Sequence, residues 1–560
     1  MSLAVELRKI IKGEVLDDEN TLNEMSRDAS LFVIKPAVVV YPKDSEDVKA
    51  LVKFVSAKNL VPERSGAKSK DYHTSGLLSL TPRSAGTDMT GGSLTESIVV
   101  NFTKYFTRFE MRDANSAVAE PGLYYRDFER EVKKYGLLFP SYPASKSICA
   151  MGGIVNNNSG GEKTLKYGKT EDYVEGVKMV LSDGNEYEFH ALDDRGLKAK
   201  MKQKNFEGEV YRRMHKLITN NLKLIIKAKP DVTKNSAGYL LWNVWNPKEK
   251  IFDLSQIFVG AQGTLGLMTE ATVRLVPIKH QARMVVIFLK DIKKLRDLIP
   301  VILKYKPESF ETYDDHTLKL ALRFFPSFAK LLGVKNLVKL AFSFFPEFLM
   351  LVSGGLPKLI LQVEFVGDDT GQIEKKVSEL VGELQSFDVQ IRAPKTKFGA
   401  EKYWTIRRES FNLLRHHVKD KHTAPFIDDF AIKAERLPQF LPELDKILEQ
   451  YDLIYTIAGH VGDGNLHIIP LMNLKNESER KIIPKLSEKV YGLVFKYGGT
   501  TTGEHNDGLI RSPYLKQMYG EEVYRLFEET KTIFDPQNIF NPGKKVGSSL
   551  DYAMKHIRRD

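Results

Sequence analysis

A chain of 560 residues with 42% hydrophobic and 28% charged content reads as a soluble globular protein of about three or four domains. Its single cysteine, Cys149, excludes an intrachain disulfide, a cysteine-based zinc site and a self-contained iron–sulfur cluster, so redox chemistry would need an organic cofactor or a partner. Basic residues (83) exceed acidic ones (72) to give a net charge of +11, but they are dispersed and no basic helix carries interleaved stacking aromatics, which argues against nucleic-acid binding.

The opening segment, MSLAVELRKIIKGEVLDDEN, scatters charge through every apolar stretch, so a cytoplasmic protein with a helical lead-in over 1–30 is expected. From 31 to 277 the pattern is α+β. Strands Ala37–Tyr41, Ser97–Asn101, Val177–Leu181 and Glu270–Val276 alternate with helices such as Ser45–Lys58 and Tyr125–Tyr135. Ser45 is the expected N-cap of its helix, and Val48, Leu51, Val52 and Val55 form the buried stripe. Glycines cluster in the loops, at Gly86, Gly91 and Gly92, at Gly152 and Gly153, at Gly160 and Gly161, and at Gly260, Gly263 and Gly266. Such turns leave backbone N–H groups free to hold a pyrophosphate, although each cluster alone could be a tight turn. No strand is followed by G-x-G-x-x-G and no G-x-x-x-x-G-K-[ST] occurs, which speaks against a Rossmann nicotinamide site and a P-loop.

Beyond Pro277 a second domain is expected over 278–499. Strand Met284–Leu289, a helix near Ile292–Tyr305, strand Leu359–Phe365, helix Thr370–Phe387 and strand Val389–Ile391 outline a ferredoxin-like cap. Within it, 316–358 is a basic, Phe-rich insertion carrying Lys319, Arg323, Lys330, Lys335, Lys339 and Lys358 against one acid, Glu347, with FFP-x-F at Phe324–Phe328 and again at Phe344–Phe348. Its prolines cut the apolar runs below the roughly 18 residues of a spanning helix, so it could lie on a membrane but not cross one. A pair of core or interface helices is the alternative.

Near the end, apolar runs Leu453–Ala458 and Leu466–Leu471 flank Gly462, Asp463, Gly464 and Asn465, a hairpin with a four-residue loop. Pairing Val461 with Leu466 would put His460 opposite His467, with Cβ atoms about 4.5–5.5 Å apart, a spacing that suits two ligands of one metal ion. Gly503, Glu504 and His505, after a strand expected to end near Tyr497, add a carboxylate and a third imidazole. Ordinary hydrogen-bonded histidines in polar turns are the bland alternative, set against the gathering of three of the 12 histidines in two Gly-rich motifs.

The ordered motifs TPRSAGTDMTGG from Thr81, YPASKSICAMGGIVNNNSGGEKTLKYGKTEDYV from Tyr142, VGAQGTLGLMTEATV from Val259, GHVGDGNLH from Gly459 and GEHNDG from Gly503 carry a resemblance. The chain resembles the FAD-linked oxidase branch of the vanillyl-alcohol-oxidase superfamily with its PCMH-type FAD-binding domain, a branch that includes D-lactate, glycolate and D-2-hydroxyglutarate dehydrogenases. The resemblance covers about 15–545 and implies a two-subdomain FAD-binding domain, an α+β cap and a C-terminal segment over 500–548 that returns to the flavin. It implies that Pro82, Arg83, Ser84, Ala85, Gly86, Thr87 and Asp88 wrap the FAD pyrophosphate. It places Pro143, Ala144, Ser145, Gly152, Gly153, Asn156, Asn157, Gly160 and Gly161 along the flavin, with Gly260, Gln262, Gly263, Thr264, Gly266 and Asn541 completing the cofactor site. Where some relatives attach FAD through a histidine this chain has Ser84 and Ala85, so non-covalent FAD is expected.

The same resemblance implies a divalent metal, Zn²⁺ or similar, on His460, His467 and Glu504, with His505 as base and Arg407 holding the substrate carboxylate. Arg408 competes for that last role. A D-2-hydroxy acid needs these parts: a cation for its carboxylate, a metal to polarise the hydroxyl and a base for the O–H proton. Phe411 and Ile427 stand where 2-hydroxyglutarate-type enzymes have a hydroxyl and a lysine, which favours a smaller acid such as lactate. Asn506 replaces the glycine after the base, and Gln262 a glutamate of the third flavin motif. Electrons would pass to a quinone, an electron-transfer flavoprotein or an iron–sulfur subunit, with the insertion as a membrane contact. Competing expectations are a non-redox flavin-dependent transferase like the alkyl-ether-lipid synthase, whose branch carries a run of histidines instead, a glycolate-oxidase-type subunit of a larger complex, and a non-catalytic protein keeping the fold only.

Overall fold

The computed structural model describes residues 2–60, 77–315, 317–319, 356–417 and 421–559, with the side chains of 397 and 409–417 outside that description. Most of the insertion, including both FFP-x-F motifs, lies outside the described residues.

Among the described residues two larger sheets build the N-terminal half, beside a two-stranded pair of Leu137–Leu138 with Val276–Pro277. In the first, strands Glu14–Leu16, Val38–Tyr41, Ile98–Asn101 and Leu80–Arg83 lie in that order, with the last three mutually parallel. Helix Ser45–Asn59 covers this sheet through Val48, Leu51, Val52 and Val55, the stripe its sequence spacing requires. Its N-cap is Asp44, whose carboxylate accepts from the Asp47 N–H; Ser45 is the first helical residue instead. The second sheet runs Trp245–Asn246, Ile251–Asp253, Glu186–Leu192, Val174–Val180, Leu267–Arg274, Ser116–Ala119, Phe109–Met111. The C-terminal segment returns to the first sheet, where the Leu80 N–H donates to Ile539.

The C-terminal half is built on one seven-stranded sheet, in the order Gln390–Arg392, Gln281–Leu289, Leu359–Gly367, Ser309–Asp314, Ile454–His460, Asn465–Met472, His422–Thr423. Its first four strands, with helices Leu295–Lys304 and Thr370–Leu384, give the ferredoxin-like order 4-1-3-2, extended by the histidine hairpin. Strand alternation then decides what each face carries. Val285, Ile287, Phe310, Leu361, Ile457 and Ile468 turn to the large apolar core with the two helices. Met284, Val286, Tyr313 and Ile360 turn to the other face, under the helix Lys397–His417 through Tyr403, Trp404 and Ile406. Glu311, His460, His467 and Ile469 share the strand parity of that second face, so one sheet surface and one helix converge there.

The expected strand before Gly503 is a helix, Ile482–Lys496. Its β-branched and aromatic residues invite a strand reading, but Ile483, Leu486, Val490 and Val494 recur at helical spacing and are all buried. Among the described residues no helix is long and apolar enough to cross a membrane.

Candidate active site

The histidine hairpin closes one residue earlier than expected: Gly459 pairs with Leu466, His460 with Asn465, and His467 with Ala458. Asn465 belongs to the strand because its buried amide donates to the Asp429 and Phe430 carbonyls, and the left-handed turn residue is Gly464 (φ +65), where a Cβ would sit 1.9 Å from the Ile432 carbonyl oxygen. The two imidazoles are therefore diagonal rather than opposite. They still share one face, edge to face with centroids 5.4 Å apart.

Around them the partners come from distant segments. The ladder places Thr312 opposite Gly459, so one step on Glu311 faces His460, and its Oε1 lies 2.7 Å from His460 Nδ1. The other oxygen of Glu311 is ion-paired with the Arg407 guanidinium from the covering helix. His460 Nε2 is thereby left 3.3 Å from Glu504 Oε1, and His467 Nε2 lies 3.9 Å from Glu504 Oε2. Lys234, fully buried, donates to Glu504 Oε1 at 2.5 Å and lies 3.3 Å from Asp463. Asp428 Oδ1 is 3.1 Å from His467 Nδ1, and its Oδ2 is 2.9 Å from His505 Nδ1 as a charge contact off the line of a directed hydrogen bond. Asp429 holds the loop backbone, accepting from the N–H groups of Glu504 and His505. The His467 and His505 rings stack at 5.3 Å.

Protonation follows from this packing. Burial would raise Glu504, but Lys234 and His460 hold it well below the ordinary carboxylate range. Burial opposes charge on His505, yet Asp429 and Asp428 outweigh it and push the imidazole up to about 9. His460 is raised likewise by Glu311 against its own burial. Ligand atoms of His460, His467 and Glu504 lie within 4.8 Å of one another. Two imidazoles with their Nδ1 atoms engaged and Nε2 atoms turned to one carboxylate are a donor set that fits a divalent cation.

A crevice of about 340 Å³ carries this cluster at one end. Arg407, His460, His467, Glu504 and His505 line it together with Pro82–Asp88, Pro143–Ser145, Gly152, Gly153, Asn156, Asn157, Gln262, Gly263 and Gly266. The two groups of residues that the sequence motifs single out thus bound one space. Gly153 is its most telling member, because a Cβ built there meets no atom within 4 Å and would project into free volume. A flat ligand can lie against that backbone. Arg83 braces the wall with its guanidinium donating to the Met25 and Arg27 carbonyls, and Asp88 closes a turn by accepting from Thr90 and Gly92.

Five expected residues stand behind the lining instead. Gly161 offers its carbonyl to Lys234, and Gly160 abuts Glu504. Gly260 accepts from Asn506, Thr264 bonds Tyr239, and Asn541 ties the carbonyls of Gly92 and Gln262. Asn506 sits in the left-handed region (φ +70) that asparagine tolerates, and its amide clamps the His505 loop onto the carbonyls of Asn157 and Gly260. Arg408 is outside the lining, paired with Glu162. Ile427 is buried in the apolar core and does not line the crevice, so the substrate argument drawn from it lapses; the Phe411 side chain lies outside the described residues. Sequence reasoning missed Glu311, Asp428, Asp429 and Lys234. The only local signals are acids inside apolar strings, SFETYD and PFIDDFAI.

Comparison with known proteins finds two matching families. Residues 72–190 match the FAD binding domain family, and residues 278–545 match the family of FAD linked oxidases, C-terminal domain. The D-2-hydroxyglutarate dehydrogenase of Pseudomonas putida is 29% identical over 541 residues, 95% of this chain and 50% of that protein. This chain spans about half the length of the first curated relatives it matches. The D-lactate dehydrogenase of Anaerostipes hadrus is 26% identical over 96% of this chain and 94% of its own length. Among solved structures, 4-ethylphenol oxidase from Gulosibacter chungangensis superimposes with a TM-score of 0.67 at 16% identity, covering 97% of this chain and 96% of that one, a likeness of fold.

Proposed function

The chain belongs to the PCMH-type superfamily of FAD-linked oxidases, and on that footing we propose that it oxidises a small D-2-hydroxy acid, D-lactate-like, to the 2-oxo acid. The observation that carries this is the shared crevice: glycine-bounded space suited to a flavin on one side, and on the other Arg407, His505 and the His460–His467–Glu504 set.

FAD, when bound, supplies the hydride acceptor. We take it to be non-covalent, as Ser84 and Ala85 offer no imidazole. A divalent ion such as Zn²⁺, held by His460, His467 and Glu504, would polarise the substrate hydroxyl. Arg407 anchors the carboxylate. Its guanidinium is already half-compensated by Glu311, and its Nε has no partner. His505 takes the hydroxyl proton on Nε2, because its Nδ1 faces Asp428. A cation bound beside it would lower its proton affinity from the elevated value. Besides Arg407, the crevice lining among the described residues offers only one other guanidinium, Arg83, which donates to the Met25 and Arg27 carbonyls, while Ile469 stands two residues along the strand from His467. A second carboxylate on the substrate would lack a partner there, which favours lactate over 2-hydroxyglutarate. The electron acceptor is proposed to be a quinone, an electron-transfer flavoprotein or an iron–sulfur subunit, with a membrane surface as the place of transfer.

Anaerobic addition of D-lactate should bleach the flavin absorbance while L-lactate does not, and D-2-hydroxyglutarate should do so with a higher KM. No bleaching by any D-2-hydroxy acid would defeat the reading. Arg407→Ala should raise the KM for D-lactate by about 10²-fold, the loss of a charge-assisted carboxylate contact worth roughly 1.5–3 kcal/mol. Steady-state kinetics check this.

A further inference from the structure

Asp428 and Asp429 are adjacent, fully buried, and hold different things. Asp429 takes only main-chain and amide or hydroxyl donors, from Glu504, His505, Thr502 and Asn465. Asp428 alone reaches two imidazoles: Oδ1 meets His467 Nδ1 at 3.1 Å and Oδ2 meets His505 Nδ1 at 2.9 Å. Those rings come from separate elements, the strand Asn465–Met472 and the loop after the helix Ile482–Lys496, yet they stack with an interplanar angle of 25°. Asp428 is itself pinned, since buried Arg511 donates to its carbonyl at 2.8 Å and to the carbonyl of Asn506 at 3.0 Å.

We propose that Asp428 is a positioning residue that yokes His467 and His505 through one carboxylate. With each Nδ1 turned to Asp428, each ring presents Nε2 to the crevice: His467 toward Glu504, His505 toward the substrate space. A carboxylate behind an imidazole fixes its tautomer and orientation and raises its basicity. Because a single group serves both, Asp428 couples the placement of the two rings, while Asp429 holds the backbone of the loop that carries His505. This rests on the roles proposed above for the two histidines.

The isosteric Asp428→Asn variant tests it. An amide can accept from one Nδ1–H but presents N–H₂ to the other. Flavin reduction by D-lactate is expected to slow by on the order of 10²–10⁴-fold with FAD retained and KM little changed. Zn²⁺ affinity, titrated on metal-stripped protein, is expected to fall by about 10–100-fold. Unchanged values of both would overturn the proposal. Should the variant not fold, ¹⁵N-imidazole spectra of the Zn²⁺-loaded wild type decide: Nδ1–H on both rings is expected, with resonances assigned by their loss in His467→Gln and His505→Gln, and an Nε2–H on either would overturn it. The functional reading fails separately, by flavin reduction that survives His505→Ala.

Discussion

His505→Ala should leave the protein yellow and slow flavin reduction by a D-2-hydroxy acid by on the order of 10²–10⁴-fold, the usual contribution of a positioned base. The reason lies in how little else could take the proton. Of the imidazoles lining the crevice, His460 has Nδ1 on Glu311 and Nε2 3.3 Å from Glu504, and His467 has Nδ1 on Asp428 with Nε2 3.9 Å from Glu504. His505 has Nδ1 in charge contact with Asp428 at 2.9 Å, and its ring lines the crevice. Its ring lies outside the 4 Å sphere around a Cβ at Gly153, so the alanine variant is expected to keep the flavin space intact. Rapid-mixing absorbance under anaerobic conditions measures the effect; reduction near the wild-type rate would move the base elsewhere.

Gly153→Leu should abolish FAD binding while leaving the fold as stable as before or more so. Gly153 lies inside the helix Met151–Asn157, where replacing glycine with a good helix former gains roughly 0.5–1 kcal/mol. The first atom of the new side chain meets no protein atom within 4 Å. What it fills is the crevice, and an isobutyl group in the space for a flat ring should lower FAD content at least about tenfold by removing close contact. The pair of readouts, a colourless protein with an unchanged or raised denaturation midpoint, separates a blocked site from a damaged fold. Gly152 would not serve, because a Cβ there already strikes Pro121 and Ser84.

Much of this site is legible in the amino-acid string because the chemistry sits in short motifs. GHVGDGNLH and GEHNDG display three imidazoles and a carboxylate, and the glycine pairs mark turns with open backbone. Three of the four ferredoxin-like strands, Gln281–Leu289, Leu359–Gly367 and Gln390–Arg392, follow from their apolar runs, whereas Ser309–Asp314, whose acids interrupt its apolar pattern, does not. What stays hidden is whatever depends on pairing between remote segments. Glu311 meets His460 only because strands 149 positions apart lie side by side, and Lys234 meets Glu504 across 270. The hairpin register turns on Asn465, whose composition suggests a loop but whose amide is spent on Asp429 and Phe430. The segment before Gly499 shows the same limit locally, since VYGLVFKY has strand-like residues and helical spacing, and burial decides for the helix.

The claim beneath the whole account is that the flavin crevice and the imidazole–carboxylate cluster act as one site. Anaerobic flavin bleaching by D-lactate, followed in the same preparation before metal stripping, after it, and after restoring Zn²⁺, tests this most directly. Bleaching should slow by about 10²-fold or more on stripping with FAD still bound, and recover on adding the ion. Bleaching at the same rate throughout would contradict it.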